Sequence, residues 1–193
     1  MTKFIRLTAV FMAILVVVLC CACNAPAPDV SQAVSQIEVI ETNDIVVLYT
    51  NDIHCAFETD IGFSGLSAYK KLALEQTPYV TLVDCGDAIQ GEVIGAVSKG
   101  EYIVDIMNKV GYDFASLGNH EFDYGMDRLA QLIEHANYSY LACNITYSGN
   151  DVNKLSSVKP YEIKQYGETS VAFIGVSTPD TLTSSSPSSF MEN

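Results

Sequence analysis

The chain has 193 residues, 49% of them hydrophobic and 10% aromatic, with 12 Gly and 6 Pro. That excludes a disordered or collagen-like polymer, because the apolar material suffices for a core. Its formal net charge is −13, from 10 basic and 23 acidic residues, which repels polyphosphate backbones and excludes nucleic acid as a bulk partner. A small phosphate ester suits such a surface only where something positive offsets the repulsion locally. With so few Lys and Arg, a bound metal is the natural candidate.

Lys3 and Arg6 open the chain, and an unbroken apolar run of fifteen residues follows from Ala9 to Cys23. A membrane-spanning helix needs ~20 apolar residues. A shorter run that ends in small residues has the pattern of a secretory signal. Cys20, Cys21 and Cys23 crowd its end, so the segment resembles a bacterial lipoprotein signal. Cys23, preceded by small Ala22, is the expected lipid-modified residue, with Cys21 the alternative. An uncleaved anchor or an ordinary secretory signal is the competing reading, and all three export the rest of the chain. Removal of Lys3 and Arg6 with the leader leaves the mature protein still more acidic. The expected organisation is a signal over residues 1–23, a flexible tether over 24–41 containing Pro26 and Pro28, and a folded portion over 42–193. The expected location is the bacterial cell surface, with the protein membrane-anchored as a lipoprotein. Cys55, Cys85 and Cys143 remain after cleavage. An odd count without CxxC spacing is not a disulfide scaffold, and the three read as buried small apolar residues.

From Asp44 the pattern becomes regular. Residues 45–50 form a short apolar run rich in β-formers, hence a buried strand. Residues 65–76 place Leu66, Tyr69, Leu72 and Ala73 on one face, hence a helix. A second strand follows over 79–83. Residues 101–110 put Ile103, Ile106, Met107 and Val110 on one helical face, and Gly111 ends that helix. A third strand is predicted over 113–117, a third helix over 126–136 with Leu129, Leu132 and Ile133 inward, and a fourth strand over 138–143. His135, near the end of the third helix, reads as a surface residue favoured by the helix dipole. Residues 161–166 and 170–176 read as a hairpin turning at Gly167, and 184–193 as a polar loop. Alternating strand and helix is the pattern of a parallel sheet with helices on its faces. In such sheets ligands bind beyond the carboxyl ends of the strands.

Three polar clusters fall at those ends. The first strand runs into Asn51-Asp52-Ile53-His54, the second into Asp84-Cys85-Gly86-Asp87, and the third into Gly118-Asn119-His120-Glu121-Phe122-Asp123. The D-x-H spacing, in an extended segment, points both side chains the same way. Each cluster alone has an ordinary reading: turn chemistry for Gly-Asp, a helix cap for Asn119, a hydrogen-bonded histidine for His120. Their co-occurrence at three consecutive strand ends points instead to a shared site. Oxygen and imidazole donors suit Zn, Mn, Fe or Mg and argue against Cu(I) and Fe–S clusters. Asp87, with two oxygens, is able to bridge two ions, and such a pair clamps the attacking and leaving oxygens of a phosphoryl displacement.

TNDIHCAFE, VDCGDAIQG and SLGNHEFDYG resemble the first three blocks of the calcineurin-like metallophosphatases, in their 5′-nucleotidase branch. The likeness runs from about Ile45 to Thr178 and includes SKGEYIVDIMNKVGYD and GVSTPD. It implies an α/β fold: a four-layer α-β-β-α sandwich, helices outside two central sheets, incomplete at the C-terminus. It implies two divalent metal ions, with Asp52 and His54 on the first, Asp87 bridging and Asn119 on the second. His120 would act on the transition state or leaving group, oriented by Asp123. Cys55, next to His54, is read as structural.

The expected activity is hydrolysis of a nucleotide or other small phosphate ester. A cyclic-nucleotide phosphodiesterase and a nucleotide-sugar hydrolase are alternatives within the branch. An inactive remnant or a lipid-anchored binding module of the same fold is the alternative outside enzymology. The resemblance implies further histidine ligands and a C-terminal substrate domain beyond this sequence. The 193 residues alone are therefore expected to bind metal poorly and to be nearly inactive, with function restored by the C-terminal part.

Overall fold

The computed structural model describes residues 43–148 and 153–185. The expected leader, the lipid-bearing Cys23 and the tether lie outside the described residues, as do residues 186–193. Among the described residues no helix is long and apolar enough to cross a membrane.

The elements follow in the predicted alternation. Strand β1 (Val46–Thr50) leads to helix α1 (Gly62–Gln76), β2 (Val80–Asp84), α2 (Val93–Ser98), α3 (Glu101–Val110), β3 (Phe114–Ser116), a 3-10 turn (His120–Phe122), α4 (Met126–His135) and β4 (Ser139–Leu141). Strands β1 to β4 pair in chain order, all parallel, with Val46 opposite Val80, Val83 opposite Phe114 and Phe114 opposite Ser139. Strands β5 (Tyr161–Tyr166) and β6 (Thr169–Ile174) form the expected antiparallel hairpin about Gly167. A short helix, α5 (Thr181–Ser184), follows.

Alternation along the strands divides the sheet into two faces. Leu48, Leu82, Ala115 and Tyr140 face the helices, and Leu82, Ile103, Val104, Met107, Leu117, Leu129 and Leu132 are at most 1% exposed. Each such side chain contributes roughly 1.5–3 kcal/mol of burial. The other face receives the hairpin: Phe173 packs on Phe114 with ring centroids 4.8 Å apart, and the hydroxyls of Thr81 and Tyr166 hydrogen-bond. Helices, parallel sheet and second sheet thus stack in the order expected of the sandwich. Val47, Tyr49, Ile163, Ile174 and Val176 remain exposed.

Helix ends are set locally. Gly111 takes φ 83° after α3, and its N–H returns to Met107, the left-handed stop that glycine adopts without steric cost. Helix α1 stops at Thr77, before Pro78. The Thr77 hydroxyl donates to the Asp44 carbonyl at 2.9 Å, tying the helix end to the start of β1.

Three expectations change. Tyr69 is 44% exposed, because the inward stripe of α1 is Phe63, Leu66 and Ala73. Helix α2 was not expected: six residues centred on Gly95 carry no readable period. Cys55 is buried as expected, but Cys85 and Cys143 are exposed, since each lies just past a strand end, where the chain turns out of the sheet.

Candidate metal centre

Beyond Thr50 and Asp84 the strands end but their pairing continues irregularly. The N–H of Asp52 donates to Gly86 O (3.1 Å), that of His54 to Asp87 O (2.9 Å) and that of Cys55 to Ala88 O (3.0 Å). The segment is not extended, as the D-x-H reading supposed. Asp52, His54 and Cys55 take φ of 53°, 46° and 62°, and Asp87 takes 59°. Asp and His tolerate this region better than most residues. The tight curl still brings Asp52 Oδ1 to 3.7 Å from His54 Nε2. Gly86, at φ 104°, passes over the next loop so closely that a Cβ there would meet Gly118 N at 2.6 Å.

Asp52, His54 and Asp87 each offer a donor atom, and these atoms lie within 4.8 Å of one another. Two carboxylates and an imidazole form a suitable set for a borderline or hard divalent cation. His54 Nδ1 lies 3.0 Å from the Gln90 carbonyl. A carbonyl only accepts, so Nδ1 carries the proton and Nε2 keeps its lone pair for a ligand. The residues present therefore fit a divalent ion.

His120 belongs to the same edge. Its ring meets that of His54 edge-on at 5.0 Å between centroids, and its backbone N–H donates to Asp87 Oδ1 at 2.7 Å. Nδ1 lies 2.6 Å from Asp123 Oδ2, which leaves Nε2 as its other polar atom. Burial pulls the His120 pKa down, but the Asp123 hydrogen bond and the charges of Asp123, Asp87 and Glu121 outweigh it, so the net shift is upward. The Asn119 side-chain amide donates to Ser184 O at 3.2 Å, so α5 rather than the Asp52–His54–Asp87 group receives it. His135 pairs with Asp105 at 2.7 Å on the exposed side of α4. A groove of about 380 Å³, bordered by Tyr49, Asp52, Ile61 and Phe63, opens beside the cluster.

Glu121 is a residue that the motif reading passed over. It is 2% exposed, and its carboxylate accepts the N–H groups of Asp87 (2.8 Å), Ala88 (2.9 Å) and Gly118 (2.7 Å). Its one readable signal was an acidic residue beside apolar Phe122 inside the GNHEFD block. Cys55 plays the structural part expected of it. Burial, reinforced by Glu121 and Glu92, pushes its thiol up to about 12, and Sγ points at Ala88 O, 3.4 Å away.

The sequence matches the calcineurin-like phosphoesterase family over residues 45–187. The chain belongs to this family. Similar curated proteins include a snake venom 5′-nucleotidase from Gloydius brevicauda, 35% identical over 77% of this chain and 28% of that protein, and Protein UshA from Yersinia enterocolitica, 33% identical over 79% of this chain and 28% of that protein. Among solved structures, the NAD nucleotidase of Haemophilus influenzae superposes with a TM-score of 0.67 at 27% identity, over 74% of this chain and 28% of that one. The 5′-nucleotidase precursor of Thermus thermophilus gives 0.63 at 26%, over 71% and 29%. The chain thus spans under a third of the length of these relatives. The family is one of hydrolases, and the parallel sheet with its helices is the architecture these neighbours share.

Proposed function

We propose that this protein is an exported phosphohydrolase of the 5′-nucleotidase type, cleaving nucleotide phosphate esters with water at a pair of divalent ions. The observation that carries the reading is the convergence of Asp52, His54 and Asp87 within 4.8 Å, beside a histidine held by a carboxylate. The family and its 5′-nucleotidase relatives support the reaction class. Asp52 and His54 are assigned to one ion, Asp87 to both and Asn119 to the other. Zn, Mn, Fe and Mg suit these donors.

A divalent ion held there supplies Lewis-acid polarisation of the phosphoryl group and lowers the pKa of water. The rest falls to the protein. Gln90 fixes the tautomer of His54. The His120 backbone N–H holds the Asp87 carboxylate in place. Asp123 occupies His120 Nδ1 and favours the protonated ring, so Nε2 holds the proton offered to the departing ester oxygen.

We further assign the protein to the bacterial cell surface, with residues 1–23 a lipoprotein signal, 24–41 a tether and a lipid carried by Cys23. The apolar run and its terminal cysteines support that assignment.

The test, on the protein with the C-terminal part that the resemblance implies, is phosphate release from AMP and from a chromogenic phosphodiester, with and without added Mn²⁺, alongside bound-metal analysis. Asp87→Ala is expected to lose metal and turnover together. His120→Ala is expected to keep metal and lose about 10²–10⁴-fold in rate, the usual weight of general acid catalysis. Equal metal loss in both variants, or hydrolysis undiminished by chelator, refutes the roles. Preference for the diester selects the phosphodiesterase alternative.

A further inference from the structure

Three consecutive backbone amides surround the proposed bridging ligand, and each is taken by a buried carboxylate. Gly86 N–H donates to Asp84 Oδ2 at 3.0 Å, Asp87 N–H to Glu121 Oε2 at 2.8 Å and Ala88 N–H to Glu121 Oε1 at 2.9 Å. Asp84 is 3% exposed and Glu121 2%. Buried carboxylates are costly in a fold unless they are well hydrogen-bonded, and both are spent on this one loop. Asp84 also reaches the neighbouring strand. Its Oδ1 accepts the Thr50 hydroxyl at 2.7 Å, and that oxygen lies 2.9 Å from the Tyr112 hydroxyl. Thr50 stands two residues before Asp52. Glu121 reaches the third loop through Gly118 N–H at 2.7 Å. The two carboxylates therefore tie together all three loops that carry Asp52, Asp87 and His120.

We infer that Asp84 and Glu121 are positioning residues for the metal centre, holding the Asp87 loop in register with the Asp52 and His120 loops. The inference rests on the metal reading above. It makes different demands at the two positions. An amide at 84 keeps every contact: its oxygen accepts from Gly86, and its nitrogen donates to Thr50 while the Thr50 hydroxyl turns to Tyr112. An amide at 121 does not, because both Glu121 oxygens face N–H donors, and either orientation sets an NH₂ against a backbone N–H.

The experiment is calorimetric titration with Mn²⁺ of the metal-stripped protein carried on the C-terminal part that the resemblance implies, with circular dichroism and thermal melting in EDTA on each variant. Asp84→Asn is expected to bind within about 3-fold of wild type. Asp84→Ala and Glu121→Gln are expected to weaken Mn²⁺ by about 10–100-fold, the range typical of residues that orient metal ligands, while retaining the wild-type spectrum. Should Glu121→Gln fail to fold, the Asp84→Asn and Asp84→Ala pair decides alone. Equal loss in Asp84→Asn and Asp84→Ala overturns the inference in favour of charge, and wild-type affinity in folded Asp84→Ala overturns it altogether. If wild type itself takes up no Mn²⁺, the metal reading fails, and this inference with it.

Discussion

Gly118→Ala isolates the geometry of the candidate metal centre from the chemistry of its candidate ligands. A Cβ at 118 would stand 2.4 Å from Asp87 Oδ1, 2.7 Å from Asp87 N and 2.8 Å from Asp87 Cγ. Reaching ordinary contact at 3.4 Å requires the Asp87 carboxylate and its backbone to retreat by about 1 Å, a misplacement that can cost on the order of 10²-fold where reacting groups must be aligned. The backbone at 118 does not call for glycine on its own account, since its φ lies outside the left-handed region, so the penalty is steric. Relief cannot come from a flexible side-chain tip alone, because the second contact is backbone and the Asp87 N–H is bonded to Glu121. The expected result is a folded protein destabilised by about 1–3 kcal/mol, as for other overpacked sites, with Mn²⁺ affinity reduced about 10–100-fold. Calorimetric titration and melting in EDTA measure the two effects separately. Wild-type Mn²⁺ affinity in a folded Gly118→Ala variant refutes the claim that the close approach of these loops places Asp87.

Burial, with the charges of Glu121 and Asp87, lifts the Asp84 carboxyl to about 7 against the hydrogen bonds from Thr50 and Gly86. The folded state then holds this proton more tightly than the unfolded chain, so the stabilisation is complete below about pH 4 and is lost as pH rises through about 7. In EDTA, Asp84→Asn flattens that part of the Tm profile, and an unchanged slope counts against the assignment. N-ethylmaleimide is expected to label Cys85 and Cys143 in the folded protein and Cys55 only after unfolding, read by peptide mass mapping; rapid native labelling of Cys55 contradicts its burial. Cys23→Ser is expected to release the protein from the membrane fraction or block its processing, and a mature N-terminus at a residue other than cysteine refutes the lipoprotein assignment.

The alternation of strands and helices was legible because each element carries its own period. Leu129, Leu132 and Ile133 mark the inner face of α4, and Ile103 and Met107 that of α3, whatever lies around them. The candidate ligands were legible because the topology sends three strand ends to one edge. What the sequence could not show depends on contacts between loops. Helix α2 is six residues long, too short to repeat a pattern. Its Gly95 comes so close to the Cys55 thiol that a Cβ would stand 2.2 Å from Sγ, and no local rule pairs those two positions. Glu121 reads locally as one more polar residue of a turn, and only the tertiary fold sets three amides around it.

The same loops show how the site is held in an unfavourable backbone shape. Asp52, His54, Cys55 and Asp87 all have positive φ, and residues in sparsely populated regions cost of order 1–3 kcal/mol each unless their surroundings over-determine them. Here the surroundings do so. The N–H groups of Asp52, His54 and Cys55 bond across to the second loop, and that loop gives its own amides to Asp84 and Glu121. A hydrogen-bonded ladder thus continues past the end of the sheet, in a conformation that an ordinary strand pair could not adopt. The curl sets Asp52 beside His54, and the buried carboxylates set Asp87 opposite them. Two carboxylates and an imidazole thus stand within 4.8 Å of one another in the folded chain alone, an arrangement that a divalent ion would find only in the native state. Binding and folding are therefore coupled: a ligand specific to the native state raises its stability in proportion to RT ln(1 + [L]/Kd), so the melting temperature should climb with Mn²⁺ concentration in wild type. In Asp87→Ala it should climb far less, and an equal rise in both proteins would mean that the ion binds elsewhere.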